Sequence, residues 1–382
     1  MLQIIKNFIN FVVLFVLSII NFFIIIKNIK KIKHNITIVQ NRGGFGNTFE
    51  ICDLARYILK SNFLFILFYD QSRHNPYLPS LFTTKCIILK STIKINFFGN
   101  YIYLGIKERD ESNKDYDLLT ELLIGFIRII SKKIFKNDYL RKKTIYKFSK
   151  KFGHQKFDLM QKKDSQWKGL YYHLAKTKRK KLFFSSLEKK MTFKQVSFFK
   201  KLKKTKNICI YLRNRKILTD KSNYLRDGSK SKEYIKMINY LLDRNYNVLL
   251  SGDKVFNHKQ LENFNTSYKN KVYDIHNFSE NDKCIFRLMF VSLGKTYISE
   301  SGGANYFGLY VKNSLHINTF PFCESLTSSK FILKEIIDTK KNIRLSKAKI
   351  KKLFYHNFKL DKYKLLPNSS EQLYKFIKKN VN

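Results

Sequence analysis

Ser299-Glu300-Ser301-Gly302-Gly303 sets a carboxylate, two hydroxyls and two adjacent glycines between an apolar run and a segment of helical composition. Such a stretch suits anion binding by backbone, because glycines let successive N–H groups converge and a helix start adds the positive end of its dipole. The plainer reading is a tight strand-to-helix turn. Three other strand-like runs in the second half end in comparable chemistry: Arg213 and Arg215, Gly252-Asp253, and Thr319 to Phe322. Arg213 would offer a planar fork to a diphosphate, with a surface ion pair as the alternative. Glu300 would repel a phosphate if aimed at it. It is expected either to accept hydrogen bonds from ribose or sugar hydroxyls or to stabilise a helix start by its charge. The stretch is not a Walker loop, since no G-K-[ST] follows, and its spacing is not that of a dinucleotide fingerprint.

A second glycine loop, Asn41-Arg42-Gly43-Gly44-Phe45-Gly46-Asn47, lies near the other end. Arg42, Gly43, Gly44 and Gly46 would let a ligand approach the backbone, or simply turn the chain from strand to helix. Asn47 followed by Glu50 has the form of a capping box, which predicts a helix starting directly after the glycines. Asp53, Asp70 and His74 are the nearest candidates for a general base, and nothing selects among them. Asp115-Tyr116-Asp117 has the D-x-D form of a divalent-cation site on a nucleotide diphosphate. It sits in an acidic stretch ahead of a helix, where acid at a helix start is the simpler account, so no metal ligand is assigned.

These residues need elements to position them. Ile36–Gln40 and Phe63–Tyr69 read as strands around a helix carrying Ile51, Leu54, Ala55, Ile58 and Leu59, a βαβ unit; Ile87–Leu89 and Tyr101–Leu104 are further strand candidates. Leu118–Ile130 reads as an amphipathic helix, followed by basic, aromatic helical stretches. From Asn207 the alternation is regular: strands at Asn207–Leu212, Asn247–Leu250, Lys271–Ile275, Thr296–Ser299 and Ser314–Asn318, and helices at Lys232–Arg244, Asp282–Leu293 and Ala304–Tyr310. This spacing predicts a parallel sheet covered on both faces, with ligands beyond the carboxyl ends of the strands. The Lys-rich tail, Ile332–Asn382, is expected to be helical and to pack back across the first half.

The chain has 382 residues, enough for two cores, because single cores seldom exceed roughly 250 residues. The expected division is 1–33 membrane anchor with basic flank, 34–205 amino-terminal α/β domain with a helical insertion, 206–330 carboxyl-terminal α/β domain, and 331–382 tail. Lys and Arg number 74 against 28 Asp and Glu, a net charge of +46. With abundant Asn, Ile, Phe and Tyr and only 4 Pro, that balance is also what an AT-rich coding sequence would give. The basic clusters lack the aromatic and glycine interleaving of a single-strand RNA reader, so nucleic acid is not the expected partner. Five cysteines lie far apart with no C-x-x-C pair, as reduced thiols would in a cytosolic compartment. Phe8 to Ile26 is almost wholly apolar, close to the ~20 residues of a bilayer-spanning helix. It has no small-residue cleavage site and is followed by Lys27, Lys30, Lys31 and Lys33. It reads as an uncleaved anchor in the inner membrane with the body in the cytoplasm; a helix lying in the membrane plane would leave the body on the same side.

The ordered motifs Tyr211–Arg215, Arg226-Asp227, Tyr234–Asp253, Tyr297–Gly308 and Thr319–Phe322 resemble a bacterial family of GT-B-like glycosyltransferases, itself distantly similar to the α-1,6-fucosyltransferases. The resemblance spans roughly residues 207–322. It implies two Rossmann-type parallel-sheet domains facing a cleft, and sugar transfer from a nucleotide-sugar donor (a GDP- or UDP-sugar) to a surface-polysaccharide or lipid-linked glycan. Donor binding would fall mainly to the carboxyl-terminal domain and the acceptor to the amino-terminal one, with no cofactor. By position, Arg213 matches the arginine that meets the donor diphosphate, and Arg226 and Asp227 the polar pair before the next helix. Gly252 closes the following strand, and Ser299, Ser301 and Gly302 form the small-residue loop. Arg215, Asp253, Glu300 and Gly303 complete the donor-side set. Glu300 departs from the pattern, many relatives having a small hydroxyl residue there. The base would be Asp227 or a first-domain Asp. A non-catalytic binding protein on a degenerate transferase fold, and a basic binder of anionic lipid or nucleic acid, are the alternatives.

Overall fold

The computed structural model describes residues 2–40, 45–59, 63–69, 75–83, 85–90, 92–97, 100–105, 118–141, 181–214, 225, 228–320, 328–353 and 358–381. The chain forms two compact units, Met1–His154 and Gln155–Asn382, and each contains a parallel sheet.

In the first unit, β1 (Ile36–Gln40), β2 (Phe63–Tyr69), β3 (Cys86–Lys90) and, later in the chain, Tyr139–Arg141 form a sheet in the order β3, β2, β1, Tyr139–Arg141, all parallel. Phe63 to Phe68 are all buried, which is why β2 reads as an unbroken apolar run. Between β3 and the last strand, β4 (Thr92–Phe97) and β5 (Asn100–Gly105) pair as an antiparallel hairpin. The last strand of this sheet is β6 (Tyr139–Arg141).

The first helix, α1 (Leu2–Lys27), is followed by the short α2 (Ile29–Lys33). Among the described residues no helix is long and apolar enough to cross a membrane, so the expected spanning anchor is not supported. Packing gives the physical reason. Leu17, Asn21 and Ile25, one stripe at helical spacing, are buried. The Asn21 side chain donates to the Lys90 carbonyl at 2.8 Å and accepts from the Lys90 amide at 3.0 Å. It thus satisfies both backbone groups at the end of an edge strand. A residue that reads as a polar interruption of a membrane run is a docking contact with β3.

The next helix, α3 (Phe45–Leu59), begins two residues before Asn47, so the capping box does not mark its start, and Gly46 lies in its first turn. It is followed in this unit by α4 (Leu118–Ile129), which ends in a π-turn over Ile130–Ile134.

The second unit holds a six-stranded parallel sheet of β7 (Asn207–Tyr211), β8 (Asn247–Leu250), β9 (Val272–Asp274), β10 (Thr296–Ser299), β11 (Asn313–Thr319) and β12 (Lys330–Leu333), in the order β12-β11-β10-β7-β8-β9. The connecting helices are α5 (Phe193–Lys203), α6 (Ser231–Asp243), α7 (His258–Ser267) and α8 (Glu280–Leu293). Thr192 and Gln195 form a capping box that starts α5, and Asn257 with Gln260 does the same for α7, a helix the sequence pattern did not announce. The tail departs from expectation. Its first residues complete β12; then β13 (Glu335–Asp338), β14 (Ile343–Arg344) and β15 (Tyr363–Leu366) make a small antiparallel sheet, and α9 (Ser370–Asn380) lies on α6. Leu373, Ile377 and Val381 join Tyr234, Ile238 and Leu241 in one core. The apolar stripe of α9 is covered within its own unit. Leu373→Ala is therefore expected to cost about 2–5 kcal/mol by thermal or urea unfolding, whereas a loosely held tail would give a change within about 0.5 kcal/mol.

Candidate functional site

The order of the second sheet reverses between β7 and β10: the chain runs outward from β7 through β8 to β9, then returns to β10 on the other side of β7. In open parallel sheets the two loops leaving such a point diverge, and the crevice between them is where ligands bind. Here the loop after β7 carries Arg213 and the loop after β10 carries Glu300 to Gly303.

The two loops are tied together. The Arg213 amide donates to Glu300 Oε2 at 2.6 Å, and Arg213 Nη1 donates to the Ser301 carbonyl at 2.8 Å. Gly302 has φ +151, and a Cβ there would stand 2.9 Å from Arg213 Nη1. A side chain is excluded at Gly302 both by its backbone angle and by the guanidinium against it. On the other flank, a Cβ on Gly252 would meet the Leu212 carbonyl oxygen at 2.0 Å, so the loop after β8 rests directly on the backbone after β7. The Asp253 amide donates to the same carbonyl at 2.8 Å, and Asp253 Oδ2 accepts from the amide of Asn214 at 3.2 Å. On the far side Ser301 Oγ accepts from the Phe320 amide at 3.1 Å. Ser299 is the buried last residue of β10. Three of the expected strand ends therefore meet through direct contacts around Arg213, and the fourth, at Thr319-Phe320, joins through Ser301.

Glu300 is fully buried. Oε1 accepts from the Tyr234 hydroxyl at 2.6 Å and Asn318 Nδ2 at 2.5 Å, while Oε2 takes the Arg213 amide. The donor directions are fixed by the surroundings. The Ser229 amide donates to the Tyr234 oxygen at 2.5 Å, leaving its hydrogen for Glu300, and the Asn368 amide donates to Asn318 Oδ1 at 2.6 Å, turning the amide nitrogen of Asn318 toward the carboxylate. Gly228 approaches so closely that a Cβ would lie 2.2 Å from Glu300 Oε2. Burial raises the pKa of Glu300, opposed by the donors from Tyr234, Arg213 and Asn318 and by the charge of Lys334. Burial, then the charge of Glu300, raises that of Tyr234 well above the phenolic range. The hydrogen bonds to the carboxylate from Arg213, Tyr234 and Asn318 all come from donors of the protein itself, so this geometry gives Glu300 the task of holding loops rather than direct contact with sugar hydroxyls.

The segment after Gly302 also differs from expectation. Gly303–Leu309 is a 3-10 turn of 7 residues, not an α-helix. A turn this short, with the poorer hydrogen-bond geometry of a 3-10 helix, offers a weaker dipole to an anion than the α-helix expected there. Arg215, Arg226, Asp227, Arg42, Gly43 and Gly44 lie outside the described residues, as do Asp70, His74, Asp115 to Asp117, Pro321 and Phe322. Asp53 is buried within α3. Among the described residues, no cluster of three or more His, Cys, Asp or Glu side chains could hold a metal ion.

The sequence reading missed several participants. Tyr234 sits at a core position of α6 and shows no sign of its hydroxyl's role. Asn318, near the end of β11, holds a left-handed conformation at φ 49 that nothing in the sequence around it announces. His276 Nε2 lies 3.1 Å from the Gly252 carbonyl, and Arg287 Nε donates to the Ser251 carbonyl at 3.2 Å. Burial lowers the pKa of His276 against the opposing charge of Asp274.

No protein-family model matches the sequence, and no curated protein matches it. Among solved structures the chain is similar to a Listeria monocytogenes protein described as a UDP-N-acetylglucosamine 2-epimerase, at 11% identity over 76% of this chain and 81% of that one, with a TM-score of 0.35. A likeness that distant carries nothing about the site, and the fucosyltransferase resemblance gains no support from it. The α/β class stands on the two parallel sheets themselves.

The buried acid makes a pH-dependent prediction. A carboxyl whose pKa is raised on folding contributes most below the ordinary carboxylate range, and that contribution is lost as pH rises through the raised value. The Tyr234 hydrogen bond favours the ionised form, so Tyr234→Phe raises the pKa further. Its cost, about 1–3 kcal/mol, is expected to be larger near about pH 8 than near about pH 4 in paired urea-unfolding curves; a pH-independent cost would remove Glu300 as its cause.

Proposed function

We propose that the chain is a glycosyltransferase of GT-B type that moves a sugar from a GDP- or UDP-sugar to a glycan acceptor. The donor diphosphate would sit on the loops after β7 and β10 of the second unit. The observation that carries this reading is the Arg213 guanidinium packed on Gly302 at the reversal point of the sheet. Arg213 is buried, and its fixed guanidinium beneath the Gly302 loop would supply positive charge where a diphosphate leaving group gains negative charge, with the loop amides at Gly302 and Gly303 adding to it. The ordered motifs over residues 207–322 support the same reading. Ser299, Ser301, Gly252 and Asp253 shape the crevice. Arg215 and Arg226 would contribute further charge to the donor. Glu300 acts through Arg213, holding the amide that fixes the arginine's place. Asp227, or an aspartate of the first unit, would take the acceptor's proton. Arg42, Gly43, Gly44 and Gly46 would serve the acceptor.

Thermal unfolding with UDP and GDP tests the donor site, since a ligand that binds only the folded chain raises Tm in proportion to the logarithm of its concentration above Kd. Either nucleotide is expected to stabilise the parent protein, and Arg213→Ala and Gly302→Ala to abolish the shift. Stabilisation that survives both substitutions contradicts the site. Stabilisation with no turnover of any GDP- or UDP-sugar supports the non-catalytic alternative, and an equal response to unrelated polyanions that salt removes supports a merely basic surface.

A further inference from the structure

The first helix presents an unusual surface for a unit with its own core. Phe8, Phe11, Phe15 and Phe23 keep between 50% and 67% of their area exposed. They lie away from the stripe of Leu17, Asn21 and Ile25 that is fixed to the first unit. The patch continues onto α4: Phe22 packs against Phe126 with ring centroids 5.1 Å apart, and Leu122 and Ile129 are exposed beside it. Exposed apolar surface on this scale marks an interaction site.

The basic border indicates what covers it. Lys27, Lys30, Lys31 and Lys33 are exposed at the carboxyl end of α1 and along α2, and Arg128, Lys132 and Lys133 at the end of α4. The two groups are brought together by Asn137, whose side chain donates to the Ile32 carbonyl at 3.0 Å and the Lys33 carbonyl at 2.5 Å. Among the described residues of these helices and the segment after α4, the carboxylates are Glu121 and Asp138. An apolar helix face with a lysine-rich border matches the interface of an anionic bilayer, where acyl chains take the aromatics and acidic headgroups the ammonium groups.

We infer that the first unit docks on anionic phospholipid membranes with α1 lying in the plane of the interface, its Phe8, Phe11, Phe15 and Phe23 face immersed and the α2 and α4 lysines on the headgroups. The arrangement differs from a spanning anchor because the Leu17–Ile25 stripe is held by protein, leaving only the opposite side of the helix for lipid. It does not depend on the donor site, which lies in the other unit.

Co-sedimentation of the full chain with phosphatidylcholine vesicles, with and without phosphatidylglycerol, tests it. Binding is expected only with phosphatidylglycerol and is expected to fall with added salt. Phe11→Asp/Phe15→Asp should abolish it, and Lys30→Gln/Lys31→Gln should weaken it by about ten-fold or more, at roughly a kcal/mol per lysine. These side chains are exposed, so unchanged circular dichroism and Tm will show that the variants fold. Equal binding to both vesicle types, binding that survives the aspartates, or resistance to salt and alkaline extraction as for a spanning helix would overturn the inference. So would absence of vesicle binding together with self-association that Phe11→Asp/Phe15→Asp removes, since the face would then be covered by a second copy.

Discussion

The second unit is organised around one buried carboxylate. Glu300 receives hydrogen bonds from the backbone after β7, from α6 and from the end of β11, three elements far apart in sequence. An ionised carboxylate out of water is tolerated only when its oxygens are met by donors, and removing one donor leaves a cost larger than the bond itself was worth. The elements that supply those donors are therefore held in register by the acid. The consequence for function is positional: the same contact that satisfies Glu300 fixes the backbone of Arg213, and the Arg213 side chain then fixes the carbonyl of Ser301.

The tail belongs to this arrangement. Asn368, just after β15, exchanges two backbone-to-side-chain hydrogen bonds with Asn318, at 2.8 and 2.6 Å, and its carbonyl accepts from Ser229 Oγ. Asn318 holds a left-handed conformation and turns its amide to Glu300. Lys334, also buried, reaches the Leu225 carbonyl at 2.9 Å, and its charge favours the ionised Glu300. A segment that looks like a basic appendage thus braces the loops of the switch point, and the small β13-β14-β15 sheet supplies the frame from which Asn368 reaches them.

Most of the second sheet was legible because its strands are fully buried and its helices half-buried: Asn247–Leu250 and Thr296–Ser299 match their apolar runs residue for residue, and α6 and α8 shift only at their ends. What failed was whatever depended on partners distant in the chain. The short runs of the tail have helix-forming lysines, but β13 is a strand because β15 pairs with it. Asn21 reads as a flaw in an apolar helix until Lys90 is seen beside it. Glu300 looks like a ligand-binding acid because nothing in its neighbourhood in sequence reveals Tyr234 or Asn318. The meeting of Arg213 with Gly302 was legible from topology alone, since parallel strands place their ends on one edge.

On the function proposed above, the loops after β7 and β10 act as one unit held by Glu300 and recognise a nucleoside diphosphate together. Hydrogen–deuterium exchange over residues 212–214 and 300–303, with and without UDP or GDP, measures this directly. Both segments are expected to gain protection together on nucleotide addition and to lose it together in Glu300→Gln, whose amide would face the Arg213 N–H. Protection confined to one of the two segments, or unaffected by that substitution, would contradict it.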